Sequence, residues 1–144
     1  MEKRSNRLFV DSNFFVALFN KQDALAERAD EISRALDENP RVLVISNLVF
    51  LEIVTVISMR VGRQVAKEVG SSLLLRPDVR IVHVDEDLHE ESRKIFQETE
   101  GKNISFVDCS IAAVMRAEGI SALLTFDRKD FKGFGKHCQF SFYA

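Results

Sequence analysis

The stretch RLFVDSNFFVALF, residues 7–19, decides how the rest of the chain is read. Its opening run, Arg7-Leu8-Phe9-Val10, is apolar after the first residue and stops at an acid, Asp11. A short apolar run bounded in this way reads as a buried strand. Apolar residues follow Asn13 at once, so the chain turns directly into a helix, with Ser12 as its expected N-cap.

The same alternation continues outward. Residues 23–39 place Leu25, Ala29, Ile32 and Leu36 at helical spacing with charges opposite, and Asn39-Pro40 ends that helix. A second strand is expected over 41–46, then a largely apolar helix over Asn47 to Arg60, followed by Gly62. A further helix runs to Arg76-Pro77, and a third strand covers 79–84. Residues 85–101 form an amphipathic helix with an expected capping box from Asp87 to Glu90. The next helix opens on Ser105 and closes on Gly119, and a fourth strand ends at Asp127. A helical turn follows in Asp127 to Phe131, and 138–144 is the expected fifth strand. Strands alternating with helices imply an α/β fold, a three-layer α/β/α arrangement around a mostly parallel sheet of about five strands.

The 144 residues suit one domain over 1–144 with room for a core, at 46% hydrophobic and 29% charged. A net charge of −2 excludes a strongly basic footprint, so nonspecific phosphate binding is not the main argument. Cys109 and Cys138 form neither a zinc spacing nor a CxxC pair, and His83, His89 and His137 are scattered. A reduced, cytoplasmic setting is the simplest expectation. The basic N-terminus does not read as a signal peptide, and no apolar stretch approaches membrane-spanning length.

Glu52 stands out because its helical neighbours Leu48, Val49 and Val56 are apolar. Either it points away from that face, or something comes to meet its charge. Asp11 and Asp127 end strands, which places them at the carboxyl edge of the sheet, where α/β proteins build their sites. Asp108 lies in the first turn of the helix opened by Ser105, among Ile104, Ile111 and Ala112. Any one of the 22 Asp and Glu residues, taken alone, reads more readily as solvated surface than as functional, Glu52 excepted; the joint placement of these four is harder to dismiss. Crowded carboxylates keep protons or bind hard cations. Oxygen-only ligands favour Mg²⁺ or Mn²⁺, and such a site suits phosphodiester hydrolysis.

The pieces FVDSNFFVALF, SNLVFLE, SFVDCSIAAVMRAEG and LLTFDRKDF, with the spacing between them, resemble the PIN domain, and within it the small VapC-like toxin ribonucleases. The likeness covers essentially the whole chain. It implies metal-dependent endoribonuclease activity, with Asp11, Glu52, Asp108 and Asp127 as catalytic acids and metal ligands. Asn13, Ser46 and Thr125 match supporting polar positions, and Asp130 an acid common in the closing segment. It also implies an RNA substrate, an antitoxin protein as partner and a homodimer. A stand-alone RNA-processing nuclease carries the same motifs.

Ser46 and Ser105 read as helix caps, and Asp85 and Asp87 as helix-start acids that favour the dipole. Arg128 and Lys129, with Lys132 and Lys136 beyond, offer a basic rim for an RNA backbone, with Arg60 and Arg63 as weaker candidates. Phe14, Phe15 and Phe19 belong to the core or to a dimer face. Two rival functions remain. One is a PIN-fold RNA- or protein-binding module without turnover. The other, an aspartyl-phosphate phosphatase or phospho-receiver, is disfavoured because Asn13 stands where the phosphatase needs a second Asp.

Overall fold

A computed structural model of the chain describes residues 6–137 and 139–143. The basic N-terminal residues 1–5, on which the leader-peptide reading partly rests, lie outside the described residues, as do Cys138 and Ala144. Five strands form one sheet: β1 (Arg7–Val10), β2 (Val42–Ser46), β3 (Val79–Val82), β4 (Ala122–Leu124) and β5 (Ser141–Phe142). Their order is β3-β2-β1-β4-β5, and each neighbouring pair is parallel. The helices between them are α1 (Ser12–Phe19), α2 (Ala26–Glu38), α3 (Asn47–Arg60), α4 (Arg63–Leu75), α5 (Glu86–Glu98), α6 (Phe106–Glu118) and α7 (Arg128–Lys132).

The central strand explains the continuous apolar run. Leu8, Phe9 and Val10 are all fully buried, so both faces of β1 are covered by helices. Helix α1 packs on α2 and α3, α3 packs on α4, and α5 packs on α6. Phe14 and Phe15 are buried in this core rather than on a dimer face, and Phe19 is half-buried against it. On α3 the stripe Val49, Ile53, Ile57 is fully buried, four residues apart at each step. Gly119 closes α6 with φ of 67°, a left-handed conformation that glycine adopts at no steric cost.

Local expectations fail at three helix starts. Ser12 is not the cap of α1; Asp11 is, its carboxylate accepting from the Ser12 N–H at 2.8 Å. The carboxylate is one residue earlier and already at the strand end, so it takes the cap and leaves the Ser12 hydroxyl for another partner. The capping box expected between Asp87 and Glu90 is absent because α5 begins one residue after Asp85, whose side chain accepts from Leu88 N–H. Leu25 precedes α2 and is 42% exposed, so only Ala29, Ile32 and Leu36 of the expected stripe are buried.

Ser46 does cap α3 as expected, its hydroxyl accepting from Val49 N–H at 3.1 Å in a fully buried position. Ser46→Ala is therefore expected to cost about 1 kcal/mol of folding stability, measured as a shift in the urea midpoint at unchanged slope.

Candidate active site

Strand order brings the site together. β2 and β3 lie on one side of β1, β4 and β5 on the other, so the chain direction across the sheet reverses between β1 and β4. Parallel sheets open a crevice at the carboxyl ends flanking such a reversal. Asp11 leaves β1 there, and its N–H donates to Leu124 O of β4 at 2.9 Å. Asp127 follows β4 three residues later.

Two neutral side chains bind these acids to one another. The Thr125 hydroxyl donates to Asp11 Oδ2 at 2.8 Å and accepts from Asp127 N–H at 3.0 Å. Asn13 Nδ2 lies 3.1 Å from Asp127 Oδ2, 3.3 Å from Thr125 Oγ1 and 3.5 Å from Asp11 Oδ2. Asn13 Oδ1 accepts from Phe126 N–H at 3.2 Å. Thr125 is 2% exposed, so it is more than ordinary sheet packing: its hydroxyl is buried against a carboxylate. These contacts make Asn13 and Thr125 positioning groups for the two strand-end acids.

Glu52 answers the question its apolar run raised. It sits one position off the buried Val49–Ile53–Ile57 stripe, half-buried, and the Ser12 hydroxyl donates a hydrogen bond to its Oε1. Something does come to meet it, from the start of α1. Asp108 is also half-buried and completes a capping box: its Oδ2 accepts from Ser105 N–H, and the Ser105 hydroxyl accepts from Asp108 N–H, both at 3.0 Å. That box fixes the side chain and commits one of its oxygens.

The four acids interact electrostatically. Burial raises Asp11 from 3.8 to about 7, and the charges of Asp108 and Glu52 add to the rise against the opposing hydrogen bonds from Thr125 and Ser12. Burial likewise raises Asp108, with Glu52 and Asp127 contributing in the same direction and the Ser105 hydrogen bonds opposing. Among the described residues, no three His, Cys, Asp or Glu side chains are already gathered as a ligand cluster. The donor set is nonetheless all-oxygen, anionic and partly desolvated. Such a set fits a hard divalent cation, whose charge replaces the proton that burial otherwise retains on Asp11.

The basic residues differ from one another. Arg128 is half-buried, donates to Tyr143 O at 3.2 Å and lies over the Phe142 ring, so β5 holds it. Lys129 and Lys132 are exposed, and Lys136 pairs with Glu98 at 3.6 Å. Asp130 sits in the first turn of α7, its N–H bonded to Asp127 O. The Ser12–Glu52 contact and the Asp23–Arg60 pair, 3.9 Å apart, had no sequence signal, because each joins segments distant in the chain.

A model of the PIN domain matches residues 8–136. The chain belongs to the PIN domain family. It is 34% identical over 120 residues to the 23S rRNA-specific endonuclease VapC20 of Mycobacterium tuberculosis, covering 83% of this chain and 88% of that protein. The crystal structure of Mycobacterium tuberculosis VapC20, described as a sarcin-ricin loop cleaving toxin, matches with a TM-score of 0.77 over 89% of this chain and 95% of that one. VapBC2 from Rickettsia felis, bound to a promoter DNA fragment, shares the PIN fold at a TM-score of 0.67 and 17% identity, over 95% of this chain and 97% of that one. Among the described residues no helix is long and apolar enough to cross a membrane.

The raised Asp11 value has a measurable consequence in chelator-treated protein. Between 3.8 and about 7 the unfolded chain has lost this proton while the folded PIN domain keeps it, so stability falls as pH rises through that window. Above about 7 both states are ionised and the slope vanishes. Urea denaturation across this range is expected to show the decline, and Asp11→Asn is expected to flatten it. Asp108, raised in the same direction, leaves a residual slope.

Proposed function

We propose that this PIN-domain protein is a divalent-metal-dependent endoribonuclease and the toxin of a toxin–antitoxin pair. The observation that carries the reading is the joining of Asp11 and Asp127 through Asn13 and Thr125 at the β1/β4 crevice, with Glu52 and Asp108 close enough for their charges to act on Asp11. The homology to an rRNA-cleaving endonuclease supports the substrate class. In this reading residues 1–144 form one nuclease domain that works in the cytoplasm, dimerises, and is held inactive by an antitoxin protein.

Asp11, Glu52, Asp108 and Asp127 hold Mg²⁺ or Mn²⁺. The bound cation supplies Lewis-acid stabilisation of charge on the phosphate oxygens and activation of water. The chain's own residues do the rest. Asn13 and Thr125 keep the two strand-end carboxylates in register, so little rearrangement is needed when a cation arrives. The Ser12 hydroxyl sets Glu52, and Ser105 sets Asp108 through the capping box. Asp11 would ligate the cation in its ionised form, so a bound cation would oppose the rise that burial imposes on its carboxyl. Lys129, exposed and two residues after Asp127, takes an RNA phosphate in this reading. No side-chain nucleophile is required, and the products carry a 5′ phosphate and a 3′ hydroxyl.

Asp108→Asn removes a ligand charge while preserving volume and the amide oxygen that accepts from Ser105 N–H. It is expected to lower RNA cleavage by about 100-fold or more with an unchanged circular dichroism spectrum. Chelator is expected to stop the wild-type protein, and Mn²⁺ or Mg²⁺ to restore it. Cleavage retained by purified Asp108→Asn protein, or cleavage indifferent to chelator, would overturn the proposal.

A further inference from the structure

A cavity of about 260 Å³ opens beside the acids, between α1, the connection to α2, and α3. Glu52, Val16, Leu25 and Val56 line it, and so do Asp23 and Arg60, which pair with each other. Glu52, Val56 and Arg60 recur every four residues, so the cavity follows one stripe of α3 outward from the acidic crevice. Its volume falls below that of ordinary drug-sized sites, about 300–1,000 Å³, and suits a single ring system.

Asp23 is held in place. Its N–H donates to Asn20 O at 2.9 Å, its carbonyl accepts from Ala26 N–H at 3.1 Å, and its Oδ1 accepts from Leu25 N–H at 2.9 Å. That leaves Oδ2, which lies 3.9 Å from Arg60 Nη1. The Arg60 side chain is 61% exposed. The Asp23 side chain is only 16% exposed, and at 3.9 Å the pair lies beyond hydrogen-bond range, so neither group spends a direct hydrogen bond on the other. Together they provide an anchored acceptor and a fork of donors side by side in the lining of an apolar slot.

We propose that this cavity receives a guanine base of the RNA next to the cleaved phosphate, with Asp23 and Arg60 as specificity residues. The inference rests on the ribonuclease reading and extends it to base selection. Single-stranded RNA is read through splayed bases, by their Watson–Crick and Hoogsteen edges. Along its edge guanine presents two donors, N2 and N1, followed by two acceptors, O6 and N7. A carboxylate matches the first pair and an arginine fork the second. Adenine and uracil place a donor between acceptors, which opposes one partner or the other. Cytosine has a compatible edge, but its single ring leaves more of the Leu25 and Val56 wall in water. Leu25 is 42% exposed, and the flat face of a purine covers it.

The test is a set of single-stranded oligoribonucleotides that differ only in the base at each position flanking the cleaved bond, with Mn²⁺ and the full chain. Wild-type protein is expected to favour guanine at one flanking position. Asp23→Asn keeps the oxygen that bonds Leu25 N–H but presents a donor to guanine's donors. It is expected to lower kcat/KM on the guanine substrate roughly 5- to 150-fold, with the other three substrates changed by far less. Arg60→Gln is expected to erode the same preference. Cleavage by wild type without base preference at any flanking position would overturn the inference while leaving the ribonuclease reading intact. So would a guanine preference unchanged in both variants, which would assign the groove to a protein partner instead. Absence of any RNA cleavage by the wild type would overturn both readings.

Discussion

Asp11 is a carboxylate at the end of the central strand with only 4% of its surface left to water, and the site depends on how that charge is satisfied. Its partners are the Thr125 hydroxyl, the Ser12 N–H and the Asn13 amide, all neutral donors. Neutral donors orient a carboxylate but do not cancel its charge. An uncompensated buried charge is costly, so the group either keeps a proton to about 7 or shares a cation. Burial favours the first course, and the proposed nuclease chemistry calls for the second.

The fold makes that choice local. With β1 placed between β2 and β4, the carboxyl ends of β1 and β4 flank the crevice where the sheet reverses direction. Asp11 and Asp127 follow these two strands, α3 after β2 brings Glu52, and α6, which leads into β4, brings Asp108. Three of the acids are fixed by a neighbour that has a second structural place. Ser12 begins α1 and holds Glu52; Ser105 caps α6 and holds Asp108; Thr125 directly follows β4 and holds Asp11. Tying the acids to caps and strand ends means that forming the fold and forming the site are nearly one process.

Helix α3 shows how one element serves both ends. Its Val49–Ile53–Ile57 stripe is buried in the core, while the adjacent Glu52–Val56–Arg60 stripe lines the groove beside the acids. Because the two stripes are one residue apart, the helix cannot rotate to improve one without disturbing the other. This also reconciles a net charge of −2 with an RNA substrate. In the proposed reading the cations that meet RNA are single residues, Lys129 and Arg60, rather than a basic face.

The sequence by itself determined the α/β alternation, the buried central strand, the Ser46 and Ser105 caps and the four acids at strand ends and on apolar helical faces. Those features are set by neighbours a few residues away, where propensity, periodicity and capping act. It did not determine which acid caps α1, where α5 begins, that β5 retains Arg128, or that Ser12 meets Glu52 across forty residues of chain. Only the tertiary structure decided these, because each depends on which segments the strand order brings face to face. The same reason applies to the Asp23–Arg60 groove. A pattern along one chain shows that a residue is misplaced in its own helix, but the group that comes to satisfy it is chosen by packing.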